Sequence, residues 1–235
     1  MCGRFTLTIE DYGAIAALLG VDLGLAARHA HRPRFNVAPT DEHWIVRASG
    51  EASRELIPAS WGVGAARQIL SRSENARART MLREASAGHR CLVPADGFFE
   101  WMGDKGDRRP VWFHRPAPQA ASARDRLVLL AAICTEGARG FSFSILTTSA
   151  NEVVAPVHDR MPVVVDVEDV GRFLSTDSPK ELARLLRPAP AAALVATEVD
   201  KRVNTVGNDD AACLAPPTRQ ADAQPSKRTR QLRLF

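Results

Sequence analysis

Three features are scarce in this chain of 235 residues: paired cysteines, long apolar runs and lysine. Its four cysteines, Cys2, Cys91, Cys134 and Cys213, lack the close paired spacing that binds zinc or performs dithiol redox chemistry. We therefore expect no disulfide, no metal and no other cofactor. Cys91 and Cys134 lie within apolar, strand-like runs, which predicts buried thiols that pack as small hydrophobic side chains.

The chain also lacks an apolar run of bilayer length and a charged-then-apolar leader. We expect a cytoplasmic, monomeric protein with no membrane contact. Because 45% of its residues are apolar, its length is enough to bury the core of one globular domain, predicted over residues 1–216. Residues 217–235 are rich in polar and basic residues without apolar periodicity, which predicts a disordered tail.

Positive charge is concentrated at the C-terminus. Only four of the 31 basic residues are lysine, and from Arg219 onward the chain has five basic residues and one acid. The tail therefore carries the whole formal net charge of +4, and residues 1–218 are neutral in sum. Any attraction of the domain for phosphate must come from locally arranged arginines.

The apolar patterns predict runs of strands rather than strands alternating with helices, which indicates an α+β fold. Strands are predicted at 2–8, 43–48, 54–63, 90–101, 110–114, 127–134, 141–148, 161–166 and 193–199. Helices are predicted over Tyr12–Leu19, Ser73–Ala85, Glu168–Leu174 and Pro179–Leu186, with a surface loop over 116–125.

Cys2 is the most informative residue because removal of Met1 would leave a cysteine with a free α-amine beside its thiol. The amine can attack an aldehyde to give a Schiff base, and the thiol can then close a five-membered thiazolidine ring. No internal cysteine can do this. The α-amine has a reference pKa of about 7.7–8.0 and is appreciably neutral at cytoplasmic pH.

Several motifs occur in an order that resembles the SRAP family of abasic-site processing proteins. They are Met1–Phe5, Arg34–Thr40, Ser60–Gly62, Asn75–Arg77, Arg90–Trp101, His158–Pro162, Val203–Asn204 and Asn208–Asp210. The resemblance implies a curved, barrel-like β-sheet core with peripheral helices. It also implies a covalent crosslink between Cys2 and abasic sites in single-stranded DNA, formed near the nucleoid and replication forks.

Glu100 and His158 are the candidate acid–base residues, and Asn75 completes the predicted catalytic set. Glu100 follows Phe98 and Phe99, so apolar surroundings should raise its carboxyl pKa, although a glutamate at a strand end can also face solvent. The His158 imidazole titrates near neutrality. The Asn75 amide suits positioning of the terminus or of a sugar oxygen, or it caps a helix.

Arginines are the candidate phosphate ligands. Arg77 and Arg160 each lie two residues from a predicted catalytic residue, and a guanidinium group binds phosphate without reading sequence. Arg4 is another candidate, with an ion pair inside the fold as the alternative.

Two tryptophans, Trp61 and Trp101, are candidates for stacking on bases, with burial in the core as the alternative. The resemblance also implies that Pro39 shapes the backbone near the site. These residues complete the predicted DNA-binding set.

Two other functions fit parts of the sequence. A cysteine peptidase or N-terminal-nucleophile hydrolase would use the Cys2 thiol on an amide with His158 as base. A noncatalytic DNA-binding adaptor would work through its tail, but this leaves Cys2, Glu100 and His158 unexplained.

The last five residues predict a second partner. Gln231, Leu232, Leu234 and Phe235 resemble the motif that binds the bacterial sliding clamp, in which a few apolar anchors enter a pocket. A frayed hydrophobic end is the alternative.

Overall fold

The computed structural model describes residues 2–21, 32–50, 53–75, 88–104, 106–118 and 121–218. Its strands are β1 (Phe5–Leu7), β2 (Arg34–Val37), β3 (Glu42–Ala48), β4 (Arg54–Trp61), β5 (Leu70–Arg72), β6 (Arg90–Ala95), β7 (Gly97–Met102), β8 (Arg109–His114), β9 (Val128–Gly137), β10 (Gly140–Ser149), β11 (Arg160–Pro162), β12 (Val164–Val165) and β13 (Val195–Glu198). Its α-helices are α1 (Tyr12–Leu19), α2 (Ala123–Arg126), α3 (Val170–Ser175) and α4 (Pro179–Leu185). Short 3₁₀ helices cover Val167–Asp169, Ala191–Ala193, Lys201–Asn204 and Ala211–Leu214. The predicted α+β class is confirmed.

A closed β-barrel forms the centre of the fold. Its strands follow the order β10-β4-β3-β6-β9, and β9 pairs again with β10 to close the ring. The β10–β4 pair is parallel, whereas the other ring pairs are antiparallel. Closure pairs the edges that an open sheet would expose, and it confirms the predicted barrel-like core.

A second sheet, in the order β13-β8-β7-β1-β2, is connected to the barrel at Asp96. The single strand predicted over 90–101 is wrong, because Asp96 separates β6 in the barrel from β7 in this sheet. The Asp96 carboxylate is buried and accepts hydrogen bonds from Thr6 Oγ1 at 2.5 Å and from the Thr8 backbone at 2.8 Å. These bonds fix the bend that carries the chain from one sheet to the other.

Several local expectations need correction. Strands β2 and β5 were not predicted, and the strand predicted over 161–166 is interrupted at Val163, which divides β11 from β12. The predicted loop over 116–125 contains the start of α2, where Ser122 and Asp125 form a capping box. The predicted helix Ser73–Ala85 is a turn over 73–75, and its remainder lies outside the described residues.

Helix α1 forms where the apolar spacing predicts it. The Asp11 side chain accepts a hydrogen bond from the Ala14 backbone at its start, and Gly20 ends it in the left-handed conformation at φ 62°. None of the helices in the described ranges is long and apolar enough to cross a bilayer.

Residues 201–214 form a segment, here called the C-terminal clasp, that packs against β2. Asn36 donates through Nδ2 to the carbonyl oxygens of Val203, Thr205 and Asn208 at 3.1, 3.1 and 2.7 Å. The clasp therefore brings the motifs Val203–Asn204 and Asn208–Asp210 into contact with the motif Arg34–Thr40. The domain boundary predicted at residue 216 stays a prediction.

Candidate active site

Cys2 lies three residues before the start of β1 and is buried, with 1% of its surface exposed. Its Sγ donates to the Arg4 carbonyl at 3.5 Å, and the Phe99 backbone N–H donates to the same oxygen at 3.0 Å. Antiparallel pairing of Phe5 with Phe98 therefore brings residues 2–3 alongside residues 100–101.

Glu100 faces this cysteine because of strand alternation along β7. Phe98 belongs to the main core cluster that includes Cys2, whereas Phe99 packs on the opposite face. Glu100 is two residues from Phe98 and shares its face. Only 1% of Glu100 is exposed, which confirms the predicted burial and excludes the solvent-facing alternative.

Burial raises the pKa of both titratable groups at this site, the Glu100 carboxyl group and the Cys2 thiol. Burial of the Glu100 carboxyl group raises its pKa to about 7, and the charge of Asp159 acts in the same direction. Burial also raises the pKa of the Cys2 thiol well above its usual value, and the Glu100 charge raises it further. At neutral pH the thiol is therefore protonated, whereas Glu100 is able to give or take a proton.

His158 is positioned by the turn over residues 151–157. Its backbone N–H donates to the Val154 carbonyl at 3.0 Å, and Asn151 Oδ1 accepts from the Val154 backbone at 3.0 Å. The ring Nδ1 accepts from the Arg160 backbone N–H at 2.9 Å, so the neutral ring carries its hydrogen on Nε2. Burial lowers the His158 pKa.

Arg160 makes an ion pair within the protein. Its guanidinium group donates to both carboxylate oxygens of Glu74 at 3.0 and 2.9 Å and to the Thr147 carbonyl at 2.6 Å. Asn75 follows Glu74 at the exposed end of the turn over residues 73–75. The predicted phosphate ligand Arg77 lies outside the described residues.

Arg4 and Trp101 connect the site to the clasp. Arg4 Nη1 donates to Asn36 Oδ1 and to the Val203 carbonyl, both at 2.8 Å, and the charge of Asp41 opposes the lowering of the Arg4 pKa by burial. Trp101 is half-buried, and its Nε1 donates to Asn204 Oδ1 at 2.6 Å. DNA contacts by Arg4 and Trp101 stay predictions.

The prediction of base stacking by Trp61 needs correction. Its ring is 1% exposed, stacks on Phe143, and donates through Nε1 to the Ile69 carbonyl at 2.9 Å. A base cannot reach the ring face in this conformation. Trp61 instead packs in the core, which was the alternative interpretation of this residue.

Pro39 and Thr40 form the middle of a tight turn beside Trp61. The Asp41 backbone N–H donates to the Ala38 carbonyl at 3.1 Å, and Thr40 has a φ of 77°, a strained angle for a β-branched residue. The Thr40 N–H donates to the Trp61 carbonyl at 2.9 Å. This strain was not predicted, since proline followed by threonine gives no signal for a positive φ.

Two acidic residues near the site also escaped sequence reasoning. Glu74 pairs with Arg160, and Asp159 lies beside His158 and, through its charge, raises the pKa of Glu100. In the sequence, each could have been noticed only because it is next to a predicted catalytic residue: Glu74 precedes Asn75, and Asp159 follows His158.

The fold and this arrangement define a barrel-centred α+β protein whose second residue, a buried cysteine, lies beside a carboxyl group with a pKa near neutrality. The chain belongs to the SRAP family, described as SOS response associated peptidase, whose family model matches residues 1–206.

Named relatives cover most of the chain. It is 29% identical over 226 residues to the abasic site processing protein YoqW of Bacillus subtilis, covering 89% of this chain and 96% of that protein. It is 28% identical over 232 residues to the abasic site processing protein YedK of Escherichia coli, with 92% and 100% covered. The abasic site processing protein HMCES of Gallus gallus is 27% identical over 226 residues, with 79% and 67% covered.

Solved structures share the fold. A crystal structure of a protein from Bacteroides thetaiotaomicron has a TM-score of 0.73 at 19% identity, covering 92% of this chain and 100% of that one. A phage-related protein from Bordetella bronchiseptica has a TM-score of 0.61 at 23% identity, with 84% and 94% covered.

Proposed function

We propose that this protein processes abasic sites in single-stranded DNA by forming a thiazolidine crosslink through Cys2 after Met1 has been removed. The observation that carries the proposal is that Cys2 and Glu100 are both buried at this site. Burial raises the pKa of Glu100 to about 7. The names of the relatives, abasic site processing proteins, support the same substrate.

Each bond change in the crosslink has a candidate proton carrier. The Cys2 amine adds to the aldehyde carbon of the ring-opened sugar and gives a carbinolamine. The protonated His158 ring donates its Nε2 proton to the hydroxyl group, which leaves as water, and Nε2 takes up the proton that the nitrogen releases as the imine forms. The Cys2 sulfur then adds to the imine carbon while Glu100 moves the thiol proton to the imine nitrogen. One water is lost in all.

A thiolate peptidase is less well supported. Such an enzyme needs a lowered thiol pKa, which is usually provided by a cationic neighbour. Here burial and the nearby Glu100 carboxylate both raise the pKa of Cys2. A protonated thiol suits late ring closure onto an imine better than direct attack on an amide.

Intact-mass measurement tests the proposal. Purified protein is incubated with single-stranded DNA that contains one abasic site. The expected product is one protein without Met1 plus one DNA, minus one water, and it forms without reductant and survives denaturation.

The Cys2→Ala variant separates the role of the amine from that of the thiol. This variant keeps a terminal amine, so its Schiff base is expected to persist only after trapping with cyanoborohydride. Cys91→Ala removes a thiol that is buried in the barrel and should crosslink as the wild type does. An equally persistent, reductant-independent adduct in Cys2→Ala would rule out the thiazolidine.

A further inference from the structure

One ring nitrogen of His158 has two partners of opposite hydrogen-bonding character. The Arg160 backbone N–H donates to Nδ1 at 2.9 Å, and the Asp159 carboxylate oxygen Oδ1 lies 3.0 Å from the same atom. A neutral ring accepts from Arg160, whereas a protonated ring forms a close ion pair with the Asp159 carboxylate. The protonated ring therefore has a negative charge 3.0 Å from Nδ1.

We propose that Asp159 is a positioning residue that holds the His158 ring in one orientation and stabilises its imidazolium form during proton transfer. This inference rests on the proposed function, since the acceptor is the hydroxyl group of the carbinolamine. A proton binds at Nδ1 from solvent, on the side where the Asp159 side chain is 85% exposed. Nε2 then releases its proton to the hydroxyl, which leaves as water, and takes up the proton that the carbinolamine nitrogen releases, while Nδ1 returns its proton to solvent and again accepts from Arg160.

The surrounding charges make Asp159 distinctive. Burial lowers the pKa of His158 most and the positive amino terminus lowers it further, whereas Asp159 raises it. At Glu100, burial raises the pKa most, the amino terminus lowers it, and Asp159 raises it. Glu74 pairs with the Arg160 guanidinium group on the neighbouring turn. Asp159 is thus the acidic side chain that acts on both proton-handling groups in the same direction.

An NMR titration of the His158 ring tests this arrangement without DNA. The His158 signal is assigned with a His158→Gln variant. Asp159→Asn keeps the side-chain shape and removes the charge, so the His158 pKa should fall by about 0.5–1 pH unit, an effect limited by solvent screening. Asp159→Glu restores the charge and should recover most of the shift.

Glu152→Gln is the matched control, because it removes one negative charge from an exposed position on the same turn. It should leave the His158 pKa within about 0.2 pH unit of wild type, since a screened surface charge acts weakly at a distance. A His158 pKa that is the same in Asp159→Asn and Glu152→Gln would overturn the inference. Circular dichroism verifies that each variant is folded.

The pH dependence of crosslinking supplies the second readout. In Asp159→Asn, the limbs of the rate profile that report His158 or Glu100 should move to lower pH, because loss of the negative charge lowers both pKa values. Unmoved limbs would also overturn the inference. Absence of crosslinking in the wild type would instead reject the proposed function, and the NMR titration would still decide the role of Asp159 at the His158 ring.

Discussion

The Asp209 carboxylate accepts hydrogen bonds from the backbone N–H groups of two successive residues, Phe35 at 2.6 Å and Asn36 at 3.0 Å. It also accepts from Arg34 Nε at 2.5 Å. Strand β2 is the last strand of its sheet and pairs on one side with β1. Asp209 satisfies N–H groups on this strand and thereby ties the clasp to the domain.

Replacing Asp209 with Asn should destabilise the domain. The amide oxygen can keep the bonds from both backbone N–H groups, but the NH₂ group that replaces Oδ2 is a neutral donor facing the Arg34 guanidinium group, at a cost of about 1–3 kcal/mol for groups left unsatisfied. Urea unfolding measures the loss. Asp210→Asn is the control because Asp210 is 48% exposed and pairs with Arg202 at the surface. Equal losses in both variants would contradict a special role for Asp209.

Glu100→Gln should change how stability depends on pH. The Glu100 pKa rises from an ordinary 4.5 to about 7 on folding, so the folded state binds this proton more tightly than the unfolded state. The cost of ionising the buried group is absent below about pH 4.5, grows as the pH rises to 7, and is constant above that. The glutamine variant lacks this cost.

Urea unfolding at about pH 5 and pH 7.5 tests this difference. The stability of Glu100→Gln relative to wild type should increase by roughly 1–3 kcal/mol between the two pH values. A constant difference would show that the Glu100 pKa is not raised by folding. Crosslinking by this variant should be slower by about 10²–10⁴-fold, because proton transfer to the imine loses its carrier.

The Arg160–Glu74 ion pair makes a prediction about DNA binding. If Arg160 binds a phosphate, Glu74 competes for the same guanidinium group. Glu74→Gln should therefore bind abasic-free single-stranded DNA more tightly. Arg160→Ala should bind it more weakly, with a salt dependence reduced by roughly 0.7 in slope.

Fluorescence anisotropy at several salt concentrations measures both effects. Arg109→Ala is the control, since Arg109 forms a surface pair with Glu198 on the second sheet. Salt slopes that agree among all three variants and wild type would remove Arg160 from the DNA-binding set.

Clamp binding by the tail is tested with full-length protein and purified bacterial sliding clamp. A double Leu234→Ala, Phe235→Ala variant should lose binding because it lacks two apolar anchors. Thr229→Ala keeps every anchor and should bind as wild type does. These tail residues lie outside the described part of the structure. Indistinguishable binding by the two variants would end the hypothesis, whereas crosslinking of isolated abasic DNA should be unaffected in both.

Local patterns predicted what depends on neighbouring residues. The two phenylalanines before Glu100 indicated its burial, and apolar spacing with Gly20 fixed the extent of α1. Strand β2 was missed because its four residues show little periodicity and take their partners from β1 and from the clasp, which is more than 160 residues away. The pattern of neighbouring residues cannot predict hydrogen bonds to such distant residues.

Barrel closure explains the wrong interpretation of Trp61. Its residue type suits either stacking on bases or packing in a core. The choice depends on the parallel pairing of β4 with β10, which places Trp61 beside Phe143. A parallel pairing between distant strands cannot be read from the periodicity of either one.

The clasp also bears on how the protein is made. Arg4 and Asn36 hydrogen-bond to Val203, and β2 hydrogen-bonds to Asp209, so these partners leave the ribosome long after the first strand has emerged. Until then, the nascent amino-terminal segment lacks the bonds that hold it in the finished domain. Methionine aminopeptidase can therefore act on the terminus before the clasp bonds that hold Arg4 and β2 have formed.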